Sequence, residues 1–285
     1  MLVHSFTILV LAVTHALAAV AGRPFGCGTP PPGGQNLEMS RVLVAQESAN
    51  REDPTNKTIF GPKITVSIYF HVVASSKKLV DGWLTDAMIS KQYSVLRADF
   101  APLNIAFRNV KVTRTVNALW ARDGDEVGMK TALRQGTYKD LNIYILPRLV
   151  GDSLGYATFP VITALKGSAP FNRDGVSINS QTVPGGSIQR FNLGRTLTHE
   201  VGHWFGLYHT FEGGCGETGD MVADTPSQAS PSSGCPKGRD SCPNLPGKDP
   251  INNYMDYSDD ACYTGFTVGQ RVRMAGFWHN WRGKA

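Results

Sequence analysis

Apolar and polar residues alternate along residues 64–73, whose sequence ITVSIYFHVV is typical of a β-strand. Apolar residues in 84–100 instead recur at three- and four-residue intervals, which predicts a long helix. The same two patterns predict further strands at 104–112, 141–146 and 176–178, and further helices at 126–133, 191–205 and 266–281. Residues 176–178 are interpreted as an edge strand, to which a peptide substrate could add itself through backbone hydrogen bonds. This order of elements favours an α/β upper part over an irregular lower part, with a cleft between them.

The first 21 residues contain no Lys, Arg, Asp or Glu and include an apolar run at 6–17. This run is short for a membrane span, and Ala16-Leu17-Ala18 fits the small-x-small rule for signal cleavage. Residues 1–18 are therefore interpreted as a secretory signal peptide, cleaved after Ala18 or Ala21, and not as a buried first element of the fold. No later segment is long and apolar enough to be an anchor, so we expect a secreted, extracellular protein without a membrane partner.

Residues 19–62 have the composition of an N-terminal pro-segment or extended arm. Glycine and proline dominate up to Gly34, and the residues that follow are polar, with a glycosylation sequon at Asn56. The rest of the chain, 63–285, is predicted to form the catalytic domain.

The amino-acid composition excludes few classes of function. A hydrophobic content of 41% and a charged content of 18% describe an ordinary soluble globular protein. The net charge of +5 is mild, and Lys and Arg do not cluster with aromatic residues. We therefore do not expect nucleic acid as a partner.

The stretch HEVGHWFGLYH at 199–209 carries the strongest chemical signal in the chain. His199 and His203 are four residues apart, so on a helix they project from one face and can bind one metal ion. Gly206 lets the helix end in a sharp turn, which would bring His209 round as a third ligand. Three histidine nitrogens leave a tetrahedral zinc ion one open position, as in catalytic zinc sites. The alternative, three incidental histidines, requires a chance match at five fixed positions in a chain with 7 histidines.

This motif, HExxHxxGxxH, is the signature of the metzincin zinc endopeptidases, which the chain resembles. Metzincins also carry a methionine in a tight turn below the metal, and NYMDY at 253–257 is similar to that turn, with an ordinary surface turn as the alternative. Within the clan the chain resembles the pappalysin family, including its short secreted microbial members. GYATFP at 155–160 and the cysteine-bearing insertion support this resemblance, which extends over residues 63–282.

The resemblance implies an α+β, metzincin-like zincin, with a mixed twisted sheet, a backing helix and the zinc helix in the upper subdomain. The lower subdomain would be irregular and disulfide-bonded, with a C-terminal helix. The implied function is a secreted zinc endopeptidase that hydrolyses protein or peptide substrates, and we expect it to be a monomer. The alternative is a secreted binding protein on an inactive metzincin scaffold, although all three histidines and the glutamate are intact.

Glu200 is interpreted as the general base of this reaction. Zinc lowers the pKa of a bound water from about 16 to about 7, and Glu200 would take its proton and later return it to the leaving amine. Met255 is expected to form an apolar floor beneath the imidazoles. Tyr257 is placed like the tyrosine that in some metzincins binds the oxyanion, and a packing role is the alternative.

Four of the 5 cysteines follow the motif, and four cysteines allow three pairings. Residues 213–252 are rich in Gly, Pro, Ser and Asp, so apolar burial cannot hold their shape. The family resemblance implies that Cys215 pairs with Cys242 and Cys235 with Cys262.

The sequence leaves two interpretations open, one for a pair of aspartates and one for the fifth cysteine. Asp220 and Asp224 beside Thr225 suggest a structural calcium ion, as in relatives, but exposed loop carboxylates are an equal reading. The remaining cysteine, Cys27, could bind the zinc ion and keep a precursor latent, like the cysteine switch of related metzincins. A free or intermolecularly paired thiol is its alternative.

Overall fold

The fold is defined by a computed structural model that describes residues 26–51, 62–216 and 219–284. The helices are α1 (Gly34–Arg51), α2 (Asp86–Phe100), α3 (Glu126–Leu133), α4 (Ala169–Arg173), α5 (Arg195–Trp204) and α6 (Val268–Asn280). The strands are β1 (Ile64–Ala74), β2 (Ile105–Val116), β3 (Leu141–Leu146), β4 (Gly155–Ala157) and β5 (Val176–Asn179). The predicted signal peptide and the sequon at Asn56 lie outside the described residues and stay predictions.

Within the described ranges, five strands form one mixed sheet in the order β2-β1-β3-β5-β4. Neighbouring strands pair in parallel except β4 and β5, which are antiparallel. The prediction that residues 176–178 form an edge strand is wrong, because β5 lies between β3 and β4. The edge is β4 itself, whose three residues are too few to show a period-two pattern in the sequence.

The larger core lies on one face of this sheet. Alternate residues of β1, from Ile64 to Val72, point into it and are at most 1% exposed. Helices α2, α5 and α6 supply the opposing apolar side chains, among them Leu96, Phe100, Leu197, Trp204 and Met274. Burying each such large side chain contributes about 1.5–3 kcal/mol relative to leaving it exposed, so this packing fixes the position of α5.

The lower part of the molecule, between α5 and α6, has little regular structure. Its described residues form one short 3-10 turn, Asp260–Cys262, and no α-helix or strand. The two pairings that the family resemblance implied are confirmed, since Cys215 bonds to Cys242 and Cys235 to Cys262. Each disulfide closes a loop of 27 residues and is worth about 3–4 kcal/mol in a chain-entropy model, although overlapping loops do not add fully.

Helix α6 begins two residues later than predicted, because side chains cap it there. The Thr267 side chain accepts a hydrogen bond from the third helical residue in a capping box. Asp224 adds a second cap, since its carboxylate accepts from the Thr267 hydroxyl at 2.7 Å and from the Gly269 amide at 2.8 Å. Val268 lies in the first turn of α6 and is 55% exposed, whereas Phe277 is fully buried.

Arg282, which follows α6, holds the end of α5 in place. Its guanidinium donates to the backbone carbonyl of Trp204 at 2.9 Å and forms an ion pair with Asp174 at 2.8 Å. The same guanidinium stacks over the Trp204 ring at 3.9 Å. Arg282 and Asp174 are both buried. Their contacts connect the segment after α6 to α5, the helix that carries two of the histidines.

The arm contains a helix that the sequence did not predict. Residues 34–51 form α1, which packs against α6 through Leu43, buried against Phe277 and Trp281. The sequence does not reveal this helix, because its apolar residues are few and are spread around the helix axis instead of forming one face. No helix in the described ranges, α1 included, combines the length and the apolarity that a membrane span requires.

Candidate metal centre

Helix α5 presents His199 and His203 from one face, as their spacing predicts, and both side chains are fully buried. The helix begins at Arg195 and not at 191, because Gly194 adopts a left-handed conformation with φ of 90° just before it. Leu193 is 49% exposed, because its amide donates to the Asp260 carboxylate at 2.8 Å and this segment stays in a loop.

A sharp turn after α5 brings in the third histidine. Gly206 has a φ of 99° and lies so close to the ring of Phe277 that a side chain would collide with it. Beyond this turn, His209 returns toward the helix, and its Nε2 lies 3.1 Å from the Nε2 of His203. The Nε2 atoms of His203 and His199 are also 3.1 Å apart. Three imidazoles therefore direct the same type of nitrogen toward one point.

Backbone carbonyls set the orientation of two of these rings. The Nδ1 of His199 lies 2.7 Å from the carbonyl of Tyr254, and the Nδ1 of His203 lies 2.8 Å from the carbonyl of Leu207. A carbonyl only accepts, so each Nδ1 carries the proton and each Nε2 has a free lone pair. Burial lowers the pKa of all three histidines, and the charges of their neighbours lower it further at His199 and His203. Neutral imidazoles with converging lone pairs are the donor set that suits zinc.

The turn at 253–257 passes directly beneath this cluster. Met255 is fully buried, and its sulfur lies so close to Gly202 of α5 that any side chain at 202 would overlap it. The residue before it, Tyr254, supplies the carbonyl that orients His199. Met255 therefore occupies the position expected of an apolar floor, and glycine at 202 is needed for this close approach.

Tyr257, at the end of this turn, faces the imidazoles. Its hydroxyl is 3.2 Å from the Nε2 of His209, and its ring packs edge-on against the His209 ring at 5.0 Å between centroids. Burial raises the pKa of Tyr257, and the nearby Cys27 and Glu200 raise it further. The hydroxyl thus keeps its proton and can act as a hydrogen-bond donor within the site.

Glu200 lies fully buried beside the histidines and close to the edge strand. Its carboxylate approaches Gly155 of β4 so tightly that a β-carbon there would lie 2.7 Å from the Glu200 Cγ. Burial raises the pKa of Glu200 to about 8, against the opposing effect of hydrogen bonds from Cys27 and Thr29. A carboxylate in this environment takes up a proton readily.

The N-terminal arm also reaches the histidine cluster. The Cys27 sulfur and the ligand nitrogens of the three histidines all lie within 4.8 Å of one another, and among the described residues this group could hold a metal ion. The arm here runs parallel to β4: the Gly28 amide donates to the Gly155 carbonyl at 2.8 Å, and the Leu154 amide donates to the Gly26 carbonyl at 2.6 Å. Residues of the arm thus cover the β4 edge of the sheet.

Thr29 is a site residue that sequence reasoning missed. Its hydroxyl donates to the Glu200 carboxylate at 3.0 Å and accepts from the Ala157 amide of β4 at 2.8 Å. Nothing in the sequence relates Thr29 to Glu200, which lies 171 residues away. Its spacing of two residues from Cys27 is the one available signal, because alternate residues of an extended segment face the same side.

Asp99 at the end of α2 was missed for the same reason. Its carboxylate accepts from the Thr198 hydroxyl of α5 at 2.6 Å and from the Tyr254 hydroxyl at 3.0 Å, and it forms an ion pair with Arg195. It thus joins the helix that carries His199 to the residue whose carbonyl orients that histidine.

Known proteins similar to this chain identify its family. Residues 132–279 match the peptidase family model described as pregnancy-associated plasma protein-A. An extracellular metalloprotease of Verticillium alfalfae is 56% identical over 272 residues, which cover 95% of each chain. The chain belongs to the pappalysin family. An extracellular metalloprotease of Colletotrichum graminicola, 54% identical over 98% of this chain and 99% of its own, supports the same assignment.

Two solved structures agree with the fold. Mature mirolysin of Tannerella forsythia, solved in complex with a cleaved peptide, is 31% identical with a TM-score of 0.63, over 75% of this chain and 91% of that one. Mirolysin in complex with a compound is 30% identical with a TM-score of 0.62, over 76% of this chain and 92% of that one. The protein is therefore a metalloendopeptidase with a metzincin-like α+β fold, which acts on peptide or protein substrates. The alternative of an inactive binding scaffold is not supported.

The contact between Gly155 and Glu200 yields a prediction. An alanine at 155 would place its methyl group 2.7 Å from the Cγ and 2.8 Å from an oxygen of Glu200. We expect Gly155→Ala to displace the carboxylate and lower kcat/KM by about tenfold or more, equivalent to about 1.4 kcal/mol, with metal content unchanged. Peptide hydrolysis by the active form and metal analysis measure both. Gly265→Ala is the matched control, since an added methyl there meets nothing within 4 Å. Equal activity of the two variants would contradict the predicted contact.

Proposed function

We propose that this pappalysin is a secreted zinc endopeptidase in which His199, His203 and His209 hold one catalytic zinc ion. The observation that carries this proposal is the convergence of the three Nε2 atoms, with neighbouring pairs 3.1 Å apart. Lone pairs this close repel one another unless a cation lies between them. When bound, zinc would supply a water of lowered pKa and would polarise the scissile carbonyl.

Glu200 is proposed as the general base and Tyr257 as the oxyanion donor. The buried carboxylate of Glu200 accepts the proton of the attacking water and later returns it to the leaving amine, and burial, which raises its pKa, makes it a stronger base. Tyr257 keeps its proton and points its hydroxyl toward His209, where it would donate to the oxygen that becomes negative in the tetrahedral state.

Cys27 is proposed to keep the precursor latent. Its sulfur lies within 4.8 Å of all three histidine nitrogens, and its chain segment covers the edge of β4. A thiolate is a stronger zinc ligand than water, so the arm would exclude the attacking water while it is in place. Loss of the arm, after a cleavage somewhere between Thr29 and Lys63, would free the site.

Secretion, a monomeric state and a structural calcium ion complete the proposal. Relatives named extracellular metalloproteases and the two disulfides support export from the cell. For calcium, the available carboxylate is that of Asp220, which is buried and has a pKa raised by that burial to about 7. Asp224, the second expected ligand, has both oxygens engaged at the start of α6, so a site here would depend on Asp220 and backbone oxygens.

The zinc assignment predicts one tightly bound zinc ion per active chain. Chelation should abolish peptide hydrolysis, and added zinc should restore it, because the three neutral imidazoles form a complete three-ligand site. Metal analysis of active protein, together with a chelation and reconstitution series, measures this. Activity that survived thorough chelation would refute the zinc assignment.

The catalytic assignments predict separate effects for two conservative substitutions. Glu200→Gln preserves side-chain size and removes the base, so zinc content should persist while kcat falls by about a hundredfold or more. Tyr257→Phe should lower kcat to a lesser degree, because it removes one donor to the oxyanion. Steady-state kinetics and metal analysis of both variants test the roles. A normal rate in Tyr257→Phe would return that residue to a packing role.

The latency assignment predicts that Cys27→Ser weakens the block in the uncleaved precursor. A serine hydroxyl is a poor zinc ligand, so this variant should be active or process itself without treatment, whereas the wild-type precursor stays inactive. Peptide hydrolysis by the two precursors, with their masses checked for intact arms, gives the comparison. Equal latency would show that Cys27 does not control the site.

A further inference from the structure

The arm contacts the rest of the chain at two separate places. One is the strand-like segment around Cys27, which lies on β4 and against Glu200. The other is α1, which begins at Gly34 and lies against α6. Three consecutive prolines, Pro30, Pro31 and Pro32, connect the two, and proline restricts how the chain between them can bend.

The inner face of α1 is a specific docking face. Asn36, Ser40 and Leu43 recur at helical spacing, and all three are buried. The outer face contrasts with it: Val42 is 44% exposed, and Arg41 pairs with Glu38 in the solvent. The helix therefore makes contact through one stripe of side chains.

The catalytic domain offers a complementary partner for each of these three side chains. The Asn36 amide donates to the carbonyl of Pro160 at 2.8 Å, and the hydroxyl of Ser40 lies 2.8 Å from that of Tyr208.

Leu43 fills the remaining part of this surface. It packs between Phe277 and Trp281, over Gly276, where any side chain would overlap the leucine. Glycine at 276 is thus the residue that lets α1 approach α6 so closely.

We propose that α1 is an anchor that holds the arm on the catalytic domain independently of Cys27, so that cutting the chain after α1 does not by itself activate the enzyme. The surface of Pro160, Tyr208, Gly276, Phe277 and Trp281 is then a helix-binding surface whose ligand is the enzyme's own excised arm. The inference deepens the proposed function, because it concerns how the latent state ends.

Linkage between the two contacts explains why such an anchor matters. Once α1 is docked, Cys27 and Thr29 rebind as an intramolecular event, at the high effective concentration that a short connection gives. Thr29 then again donates to Glu200, and the arm again pairs with β4. Activation therefore requires loss of α1 from its surface, through dilution, competition or further cleavage.

The first test measures retention of the arm without using activity. A precursor carrying Glu200→Gln, which prevents self-processing, and Cys27→Ser, which removes the thiol, receives the recognition site of a sequence-specific protease within residues 52–61. After cleavage, size-exclusion chromatography with mass spectrometry shows whether the arm stays bound, and a dilution series gives its dissociation constant. We expect the arm to co-elute with the catalytic domain. Its complete loss in this background would overturn the proposal.

Substitutions on the two faces of α1 sharpen this measurement. Leu43→Ala should raise the dissociation constant of the arm by about 30-fold or more, the lower end for a buried leucine. Ser40→Ala should raise it by about fivefold, because one buried hydrogen bond is lost. Val42→Ala on the exposed face is the matched control and should leave it unchanged. Thermal unfolding of the uncut proteins verifies that each variant is folded. Equal dissociation constants for Leu43→Ala and Val42→Ala would exclude α1 as the anchor.

A second test measures peptide hydrolysis by a precursor in which Glu200 and Cys27 are intact. Cleavage within 52–61 should leave peptide hydrolysis at the level of the precursor, whereas the cleaved Leu43→Ala form should gain activity on dilution. Full activity of the cleaved wild type would refute the anchor. If arm retention behaved as expected but no form ever hydrolysed peptides, the anchor would stand and the proposed peptidase mechanism would fall.

Discussion

Three unprotonated imidazole nitrogens must be held around one point inside the protein, with 3.1 Å between neighbours. In the absence of a cation their lone pairs repel, so the fold has to impose this arrangement from outside. It does so with backbone carbonyls at Tyr254 and Leu207, which fix the proton on the far side of two rings. The sharp turn at Gly206 and the close approach of Met255 to Gly202 serve the same end, because each sets the position of a segment that carries or orients a ligand.

Two buried carboxylates transmit this constraint to the rest of the fold. Asp99 joins α2 to the start of α5 and to Tyr254, while Asp174 joins Trp204 at the end of α5 to Arg282. Both ends of the histidine-bearing helix are thus held by charged groups that have little contact with solvent. Breaking a buried ion pair of this kind costs about 3–5 kcal/mol, since it leaves an uncompensated charge. The cost explains why a helix of only ten residues keeps its two histidines in place without help from its own propensity.

The sequence predicted those parts of the structure that depend on local pattern or on a fixed motif. The strands β1 and β3 and the helices α2 and α3 follow from periodicity, and His199, His203 and His209 follow from their spacing. The disulfide pairing came from the family resemblance, because spacing alone left three choices. Local pattern could not predict β4, which has three residues, nor α1, whose apolar residues form no continuous face. Contacts such as Thr29 with Glu200 join residues 171 positions apart and exist only once the sheet is formed.

The proposed role of the arm accounts for its weak hydrophobic pattern. A segment that leaves the site on activation, as proposed, cannot bury as much apolar surface as an element of the core, because its release would then be too costly. The arm accordingly offers two backbone hydrogen bonds at β4, one hydroxyl at Glu200 and one fully inserted leucine on α1. None of these contacts is strong alone. They lie at two places on the arm, and binding at one place raises the local concentration of the arm at the other. An arm that binds reversibly in this way needs few apolar residues. For that reason α1 is hard to recognise in the sequence.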